Sequence, residues 1–117
     1  DSSSTITIMS KNAEKICDFS VPGRVNNVEF LELYDYNVYQ IVLQYKDDNN
    51  YNNLEIRKLK NNDMDIVAVF RGNCGIEIDS AAVPKIKVCR YKCSSCGAAS
   101  GIIRDTWSWS GEKFVME

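Results

Sequence analysis

The sequence predicts an all-β fold built from two related antiparallel halves. Its apolar residues alternate with polar ones rather than recurring at helical spacing, and β-branched and aromatic types dominate the apolar runs. Turn-forming segments such as DDNNYNN at 47–53 and NND at 61–63 separate these runs, as the connections of β-hairpins do. We expect at most one short helical turn, at Asn12–Asp18.

Four strands are expected in the first half and a matching set in the second. The first set is carried by the alternating apolar residues of Val28–Leu33, Ile41–Tyr45, Leu54–Ile56 and Ile66–Phe70. The second set begins with Ile76–Ile78 and Ile86–Val88 and ends in the segment TWSWSGEKF, Thr106–Phe114. The dipeptide Pro22-Gly23 interrupts the chain before the first set.

The two sets match in their spacing, which predicts an internal repeat with halves at about 28–72 and 73–117. LEL at 31–33 and the pair Ile41 and Leu43 correspond to IEI at 76–78 and the pair Ile86 and Val88, at an offset of 45 residues, the distance from Glu32 to Glu77. Leu59 corresponds to Trp109 at an offset of 50 residues. The second half has therefore gained five residues, in the stretch that contains CSSCGAASG, Cys93–Gly101.

Length and composition indicate one globular domain and exclude several function classes. A chain of 117 residues with 44% hydrophobic and 26% charged residues holds one core and is expected to fold. A net charge of −2 supplies no basic surface for nucleic acid. The longest apolar runs are far shorter than the roughly 20 residues that cross a bilayer as a helix.

Two segments carry a resemblance to a known family. ELYDYNVYQIVLQY at 32–45 and TWSWSGEKF at 106–114 are similar to the opening turn and the closing hairpin of FG-GAP or VCBS-type repeats, found in integrin-alpha-like propeller domains. Because two blades cannot close a propeller, the resemblance implies an open, propeller-like pair of blades or a sandwich. Such repeats commonly bind calcium with three carboxylates, whereas each turn here offers two: Glu32 and Asp35, then Glu77 and Asp79. We therefore predict no metal and no cofactor.

Five cysteines and no histidine favour a disulfide framework in an oxidising compartment, so we expect a secreted or periplasmic protein. Spacing does not determine the connectivity, and one cysteine is left over from two bonds. We prefer a bond between Cys17 and Cys74, plus one bond among Cys89, Cys93 and Cys96.

Two alternatives use the same thiols for chemistry. Cys74, Cys89, Cys93 and Cys96 could hold zinc, although a zinc ribbon normally has two CxxC knuckles and this chain has one. A redox role would place Cys93 at a helix N-terminus, which lowers the pKa of its thiol, but a helix is not expected in the glycine-flanked segment 97–101.

Aromatic and charged side chains add weaker indications. Trp107 and Trp109 share one face of a strand and are expected to be buried, since TWSWS alternates as a half-buried strand does. Carbohydrate or cell-wall binding would instead use these tryptophans with surface tyrosines. Charged residues are expected to face solvent on a hairpin or an exposed or edge strand, namely Glu55, Arg57, Lys58, Lys60, Asp63, Lys85 and Lys87.

The function that these features favour is non-enzymatic binding of another protein, as an inhibitor or immunity-type protein blocking a toxin or an enzyme. The enlarged tip would enter a cleft of the target, because its small residues let backbone groups approach closely and its preorganisation limits the ordering cost. Tyrosines beside the first turn are further contact candidates. The predicted partner-binding residues are Ser94, Ser95, Gly97, Ala98, Ala99, Ser100, Tyr34, Tyr36 and Tyr39.

Overall fold

The computed structural model describes residues 3–31, 40–60, 63–79 and 84–117. Within these ranges the chain is almost entirely antiparallel β structure, which confirms the predicted fold class. The strands are β1 Ser4–Met9, β2 Lys15–Val21, β3 Gly23–Leu31, β4 Gln40–Asp47, β5 Asn52–Lys60, β6 Asp63–Gly72, β7 Gly75–Asp79, β8 Lys85–Tyr91, β9 Ile102–Trp109 and β10 Phe114–Met116. A 3-10 turn, Gly97–Ser100, lies between β8 and β9.

The described strands form three sheets. A central sheet has the order β3-β4-β5-β6, a second sheet has the order β7-β8-β9-β10, and β1 pairs with β2 in a separate hairpin. Each four-stranded sheet is a meander in which neighbours in sequence are neighbours in space. The chain passes from one sheet to the other between Gly72 and Gly75, close to the division at 72/73 expected from the spacing. The shared origin of the two halves stays a prediction.

The N-terminal segment differs from expectation. The helical turn predicted at Asn12–Asp18 is wrong, because this segment contains a hairpin turn and the start of β2. Ser10 closes that turn: its carbonyl accepts from the amide of Ala13 at 3.0 Å, and its amide donates to Glu14 O at 2.8 Å. The signal for β1 is present in the sequence as the Thr-Ile alternation at 5–8, typical of a half-buried strand.

One face of the central sheet packs against the second sheet through an apolar core. Central-sheet residues and second-sheet residues contribute to the same cluster: Val42, Leu54, Ile56, Phe70, Ile86 and Val88. The backbones approach closely at the end of β6, where a Cβ on Gly72 would collide with the carbonyl oxygen of Cys89. Ile86 is fully buried on β8, which is an inner strand of its sheet rather than an edge, while Lys87 faces solvent.

The other face of the central sheet is covered by the β1–β2 hairpin. The buried residues of this layer are Cys17, Val21, Ile41, Leu43, Tyr45 and Met64. Glu55 and Arg57 lie on the same face, since they pair across the sheet with Leu43 and Ile41. The prediction that Glu55 and Arg57 face solvent is therefore wrong: both are buried beneath the hairpin. The strand pattern is correct, but the hairpin turns the expected solvent side of β5 into an interior surface.

Candidate functional site: the disulfide loop

Four cysteines form two disulfides, Cys74–Cys89 and Cys93–Cys96. The preferred Cys17–Cys74 bond is wrong, whereas a bond among Cys89, Cys93 and Cys96 is confirmed by Cys93–Cys96. Cys17 is a buried thiol among the residues of the hairpin layer. Cys74 joins the second sheet, which packs against the opposite face of the central sheet, so the central sheet separates the two sulfurs.

The Cys74–Cys89 bond links two neighbouring strands at the end of their pairing. The amide of Cys74 donates to Cys89 O at 3.2 Å, and the Cα atoms are 5.0 Å apart. The register that pairs Ile76 with Val88 places Gly75 opposite Cys89, so Cys74 lies one residue before the paired part of β7. Strand register alone therefore does not predict this bond, because a one-residue offset directs side chains to opposite faces of a sheet.

The segment Cys93–Gly101, which we call the disulfide loop, is held internally by its own backbone. The carbonyl of Cys93 accepts from the amides of Cys96 at 3.1 Å and Gly97 at 3.2 Å. Ser100 Oγ accepts from the amide of Cys93 at 3.1 Å and donates to Gly97 O at 2.8 Å. Gly97 and Gly101 have φ of 68° and 91°, backbone conformations that favour glycine. The loop therefore has a defined shape before any partner binds.

The disulfide loop is also anchored at its base and to the central sheet. At its base, the amide of Lys92 donates to Gly101 O at 3.0 Å. Near its tip, the Tyr51 hydroxyl, from the β4–β5 turn, contacts Ser94 Oγ at 3.2 Å. The guanidinium of Arg71 stacks on the Tyr51 ring at 3.8 Å and restrains it. The loop and the β4–β5 turn thus form one surface at one end of the molecule.

The acidic β4–β5 turn is a structural element of this surface. The Asp47 carboxylate accepts from the amides of Asn49 and Tyr51 and from the side chains of Asn53 and Arg71. Burial alone would raise the pKa of Asp47, but the hydrogen bonds from Asn53, Tyr51 and Arg71 outweigh it and hold that pKa below its ordinary value. The Asp47 carboxylate is therefore engaged in fixing the shape of the turn.

The structure divides the predicted contact residues into two groups. Ser95, Ala98 and Ala99 are exposed on the loop, and they form the outward surface. Ser94 is exposed but engaged with Tyr51, whereas Gly97 and Ser100 are half-buried and shape the loop. Other residues named from the sequence lie outside the described ranges: Glu32, Tyr34, Asp35, Tyr36 and Tyr39.

The two tryptophans are half-buried rather than buried as predicted, and both contact phenylalanine rings of the molecule. Trp107 meets the ring of Phe70 edge-on, with centroids 5.6 Å apart, and Trp109 meets Phe114 at 5.2 Å. Both indoles are half-buried, and Trp107 and Phe114 pack on the core between the sheets. Their main contacts are therefore with the interior of the molecule.

A shallow cavity of about 510 Å³ lies on the second sheet beside the Cys74–Cys89 bond. Its charged lining residues are Glu77, Lys87 and Arg104. Glu77 and Lys87 are cross-strand partners, so opposite charges stand side by side. Glu77 offsets the charge of Lys87, which leaves the single positive charge of Arg104 in the lining.

Three comparisons with known proteins found no match to this chain. No protein-family model, no curated protein and no solved structure matches the chain. In the part of the chain that the structure describes, no helix is long and apolar enough to cross a membrane. The same ranges contain no cluster of three potential metal ligands, and the four sulfurs of the zinc alternative are joined in two disulfides. The case for a function accordingly rests on the geometry of the site.

Proposed function

We propose that this protein is a non-enzymatic binding module that presents the disulfide loop to another protein, in the manner of an inhibitor or immunity-type protein. The observation that carries the proposal is a short loop fixed by a disulfide and by the Ser100 hydrogen bonds, with small side chains on its outward surface. A loop ordered in advance loses little conformational entropy on association, so more of the contact energy remains as affinity.

The chemistry of the outward surface favours a concave partner site of modest charge. Ser95, Ala98 and Ala99 carry no charge and little bulk, so the loop backbone can approach the walls of a cleft. Recognition would then depend on shape and on hydrogen bonds to the backbone, with little long-range electrostatic steering. An active-site cleft of an enzyme or a toxin has the required form.

The location that fits this proposal is outside the reducing cytosol. Two disulfides in a chain of 117 residues are typical of proteins that fold in an oxidising compartment. We therefore propose a secreted or periplasmic protein whose partner occurs in the same compartment.

The propeller resemblance supports a proposal about the origin of the scaffold. The central sheet and the second sheet are each a four-stranded antiparallel meander, the strand arrangement of a propeller blade. The aligned pairs Ile41 and Ile86, and Leu43 and Val88, lie on β4 and β8, the second strands of their sheets. We propose that the two sheets are related blades and that the disulfide loop is an addition to the second.

The test of the binding function compares loop variants with a matched control. The oxidised protein is immobilised and exposed to an extracellular or periplasmic fraction, and retained proteins are identified by mass spectrometry. Ser95→Trp and Ala98→Trp place a large side chain on the outward surface, while Glu112→Trp places the same side chain on the exposed β9–β10 turn.

The expected result is a protein retained by the wild type and by Glu112→Trp but lost from both loop variants, all with unchanged circular dichroism. Equal retention on all variants would refute the role of the loop. A turnover of disulfide substrates by the protein would favour the redox alternative instead, since Cys96 is exposed to an incoming thiol.

A further inference from the structure

The β1–β2 hairpin is attached to the rest of the molecule differently from every other described strand. It shares no strand pairing with either four-stranded sheet in the described ranges. Its polar contact with β3 is Ser4 Oγ, which donates to Gly23 O at 2.7 Å and accepts from the amide of Val25 at 3.3 Å. Side-chain packing on the central sheet supplies further attachment.

The hairpin also leaves part of each edge strand uncovered on the sheet face on which it lies. In the two rows that contain Ile41 and Leu43, the β4 and β5 residues are buried and the β3 and β6 residues are exposed, whereas Met64 near the start of β6 is buried. Phe30, next to buried Ile41, is 61% exposed, and Ile66, next to buried Arg57, is 55% exposed. The same holds one row further along, where the exposed edge residues are Val28 and Val69.

The charged groups beneath the hairpin are satisfied without it. Glu55 accepts from the Tyr45 hydroxyl at 2.8 Å and from Arg57 Nε and Nη2 at 3.0 and 2.9 Å. Arg57 Nη1 points at Met64 O, at 3.5 Å. All four residues belong to β4, β5 and β6. The hairpin adds the ring of Phe19 to this network, and the centre of that ring lies 4.0 Å from the Arg57 guanidinium carbon.

This division has an energetic consequence for hairpin displacement. Removing the hairpin would leave no charged group without a hydrogen-bond partner, because the ion pair remains intact within the central sheet. Glu55 and Arg57 would regain hydration that they lose on burial, which offsets part of the cost of exposing the apolar side chains. On the face that packs against the second sheet, the buried cluster is apolar and the buried polar residue, Gln40, is uncharged. In the described ranges no buried charge lies on that face, so separation there has no such compensation.

We propose that the β1–β2 hairpin is a strap that opens over the central sheet as a unit, while the two sheets stay packed together. The device goes beyond the proposed binding function and lies on the opposite face of the central sheet from the second sheet. Opening would uncover a strip in which a preformed ion pair, Glu55 with Arg57, lies beside the apolar side chains Ile41 and Leu43.

Cys17 provides a built-in reporter for the strap. It is buried in the hairpin layer, and the other four cysteines are in disulfides, so a thiol reagent modifies Cys17. The rate of iodoacetamide labelling is measured by intact mass at increasing urea below the unfolding transition. Amide exchange of peptides from β4 and β8 in the same solutions reports opening of the two-sheet body.

The labelling rate of Cys17 gives a free energy of opening. If the strap opens alone, this free energy should depend on urea much less steeply than the free energy of global unfolding does, because the hairpin exposes a small surface. Labelling with the full denaturant dependence of global unfolding, in step with amide exchange of β8, would overturn the proposal. This measurement uses the wild type, so it does not depend on the folding of any variant.

Two phenylalanine variants test whether Cys17 labelling depends on the contact between the hairpin and the central sheet. Phe19→Leu removes the contact with Arg57 and should accelerate Cys17 labelling roughly 3- to 30-fold, as loss of one cation–π contact would. The matched Phe114→Leu, in the core between the sheets, should leave labelling in the absence of urea within about twofold. Equal acceleration by both variants would show that Cys17 is reached by global unfolding and would overturn the strap.

Discussion

The two faces of the central sheet are buried in different ways. Against the second sheet, β4 and β5 present Val42, Leu54 and Ile56 to an apolar cluster with aromatic edges, and the buried polar residue on that face, Gln40, is uncharged. Against the hairpin, the same strands present Leu43 beside Glu55, so a charge lies within the buried surface. The first interface is stabilised by apolar burial on both sides, whereas the second balances apolar burial against the desolvation of an ion pair. The comparison shows that equal burial does not imply equal resistance to opening.

The largest effect is expected at the buried ion pair. Glu55→Leu leaves the Arg57 guanidinium buried without a carboxylate and should cost about 3–5 kcal/mol of unfolding free energy. The double variant Glu55→Leu with Arg57→Met should recover most of that loss, since it removes both charges; recovery stays incomplete because the Tyr45 hydroxyl loses its acceptor. Urea denaturation of the three proteins measures both values, and a double variant as unstable as the single one would contradict the explanation.

The next largest effect is expected from truncating a buried isoleucine on either face of the central sheet. Ile86→Ala, at the interface between the sheets, should cost about 2–5 kcal/mol with little change in the urea dependence. Ile41→Ala, equally buried beneath the hairpin, should cost less, because a layer without ladder bonds to the sheet can settle into the cavity. Equal losses in the two variants would mean that the hairpin is as rigidly seated as the second sheet.

The two disulfides should differ in their contribution to stability. Replacing Cys74 and Cys89 by serine should cost about 3 kcal/mol in the chain-entropy model, since the bond closes a loop of 15 residues in sequence. Replacing Cys93 and Cys96, three residues apart, should cost about 2 kcal/mol in the same model. Thermal unfolding of the two serine variants checks the order, and the reverse order would show that the disulfide loop supports the fold as well as the site.

The smallest effect is a pH dependence of the hairpin-covered face. Burial, followed by the hydrogen bond to Glu55, raises the pKa of Tyr45 well above its ordinary value of 10.0. Because the folded state holds this proton more tightly, the contribution is fully present below about pH 10 and is lost as the pH rises through the folded pKa.

Unfolding free energy between pH 9 and 11.5 should therefore fall more steeply in the wild type than in Tyr45→Phe, which lacks the titrating hydroxyl. The control is Tyr51→Phe, whose hydroxyl contacts Ser94 near the exposed loop. A Tyr45→Phe slope equal to that of the wild type would contradict the assigned cause.

Much of the scaffold could be predicted because its signals are local. Alternation identified β4, β5 and β8, and the spacing of matched pairs located the division between the two sheets. The disulfide loop was identified as an insertion of small residues and as the candidate site. Six loop residues were predicted to contact a partner, and three of them form the outward surface: Ser95, Ala98 and Ala99. Ser94 and Ser100 instead make hydrogen bonds within the molecule, which no local sequence pattern indicates.

The errors share one physical origin in contacts between elements. Cys17 was assigned to Cys74 because spacing alone cannot show that a sheet lies between them. Glu55 and Arg57 were assigned to solvent because strand alternation separates two faces without stating what covers each.

By itself, the sequence determined that the chain is antiparallel β structure, that it divides near residue 72, and that the second half carries a cysteine-containing loop. These properties follow from the period of the side chains and from turn residues, which act over a few positions. Only the tertiary structure decided which cysteines pair, which face of the central sheet lies beneath the hairpin, and that a Glu–Arg pair is buried there. Those outcomes depend on which layers stack together, and stacking is set by the summed packing of residues that are distant in the chain.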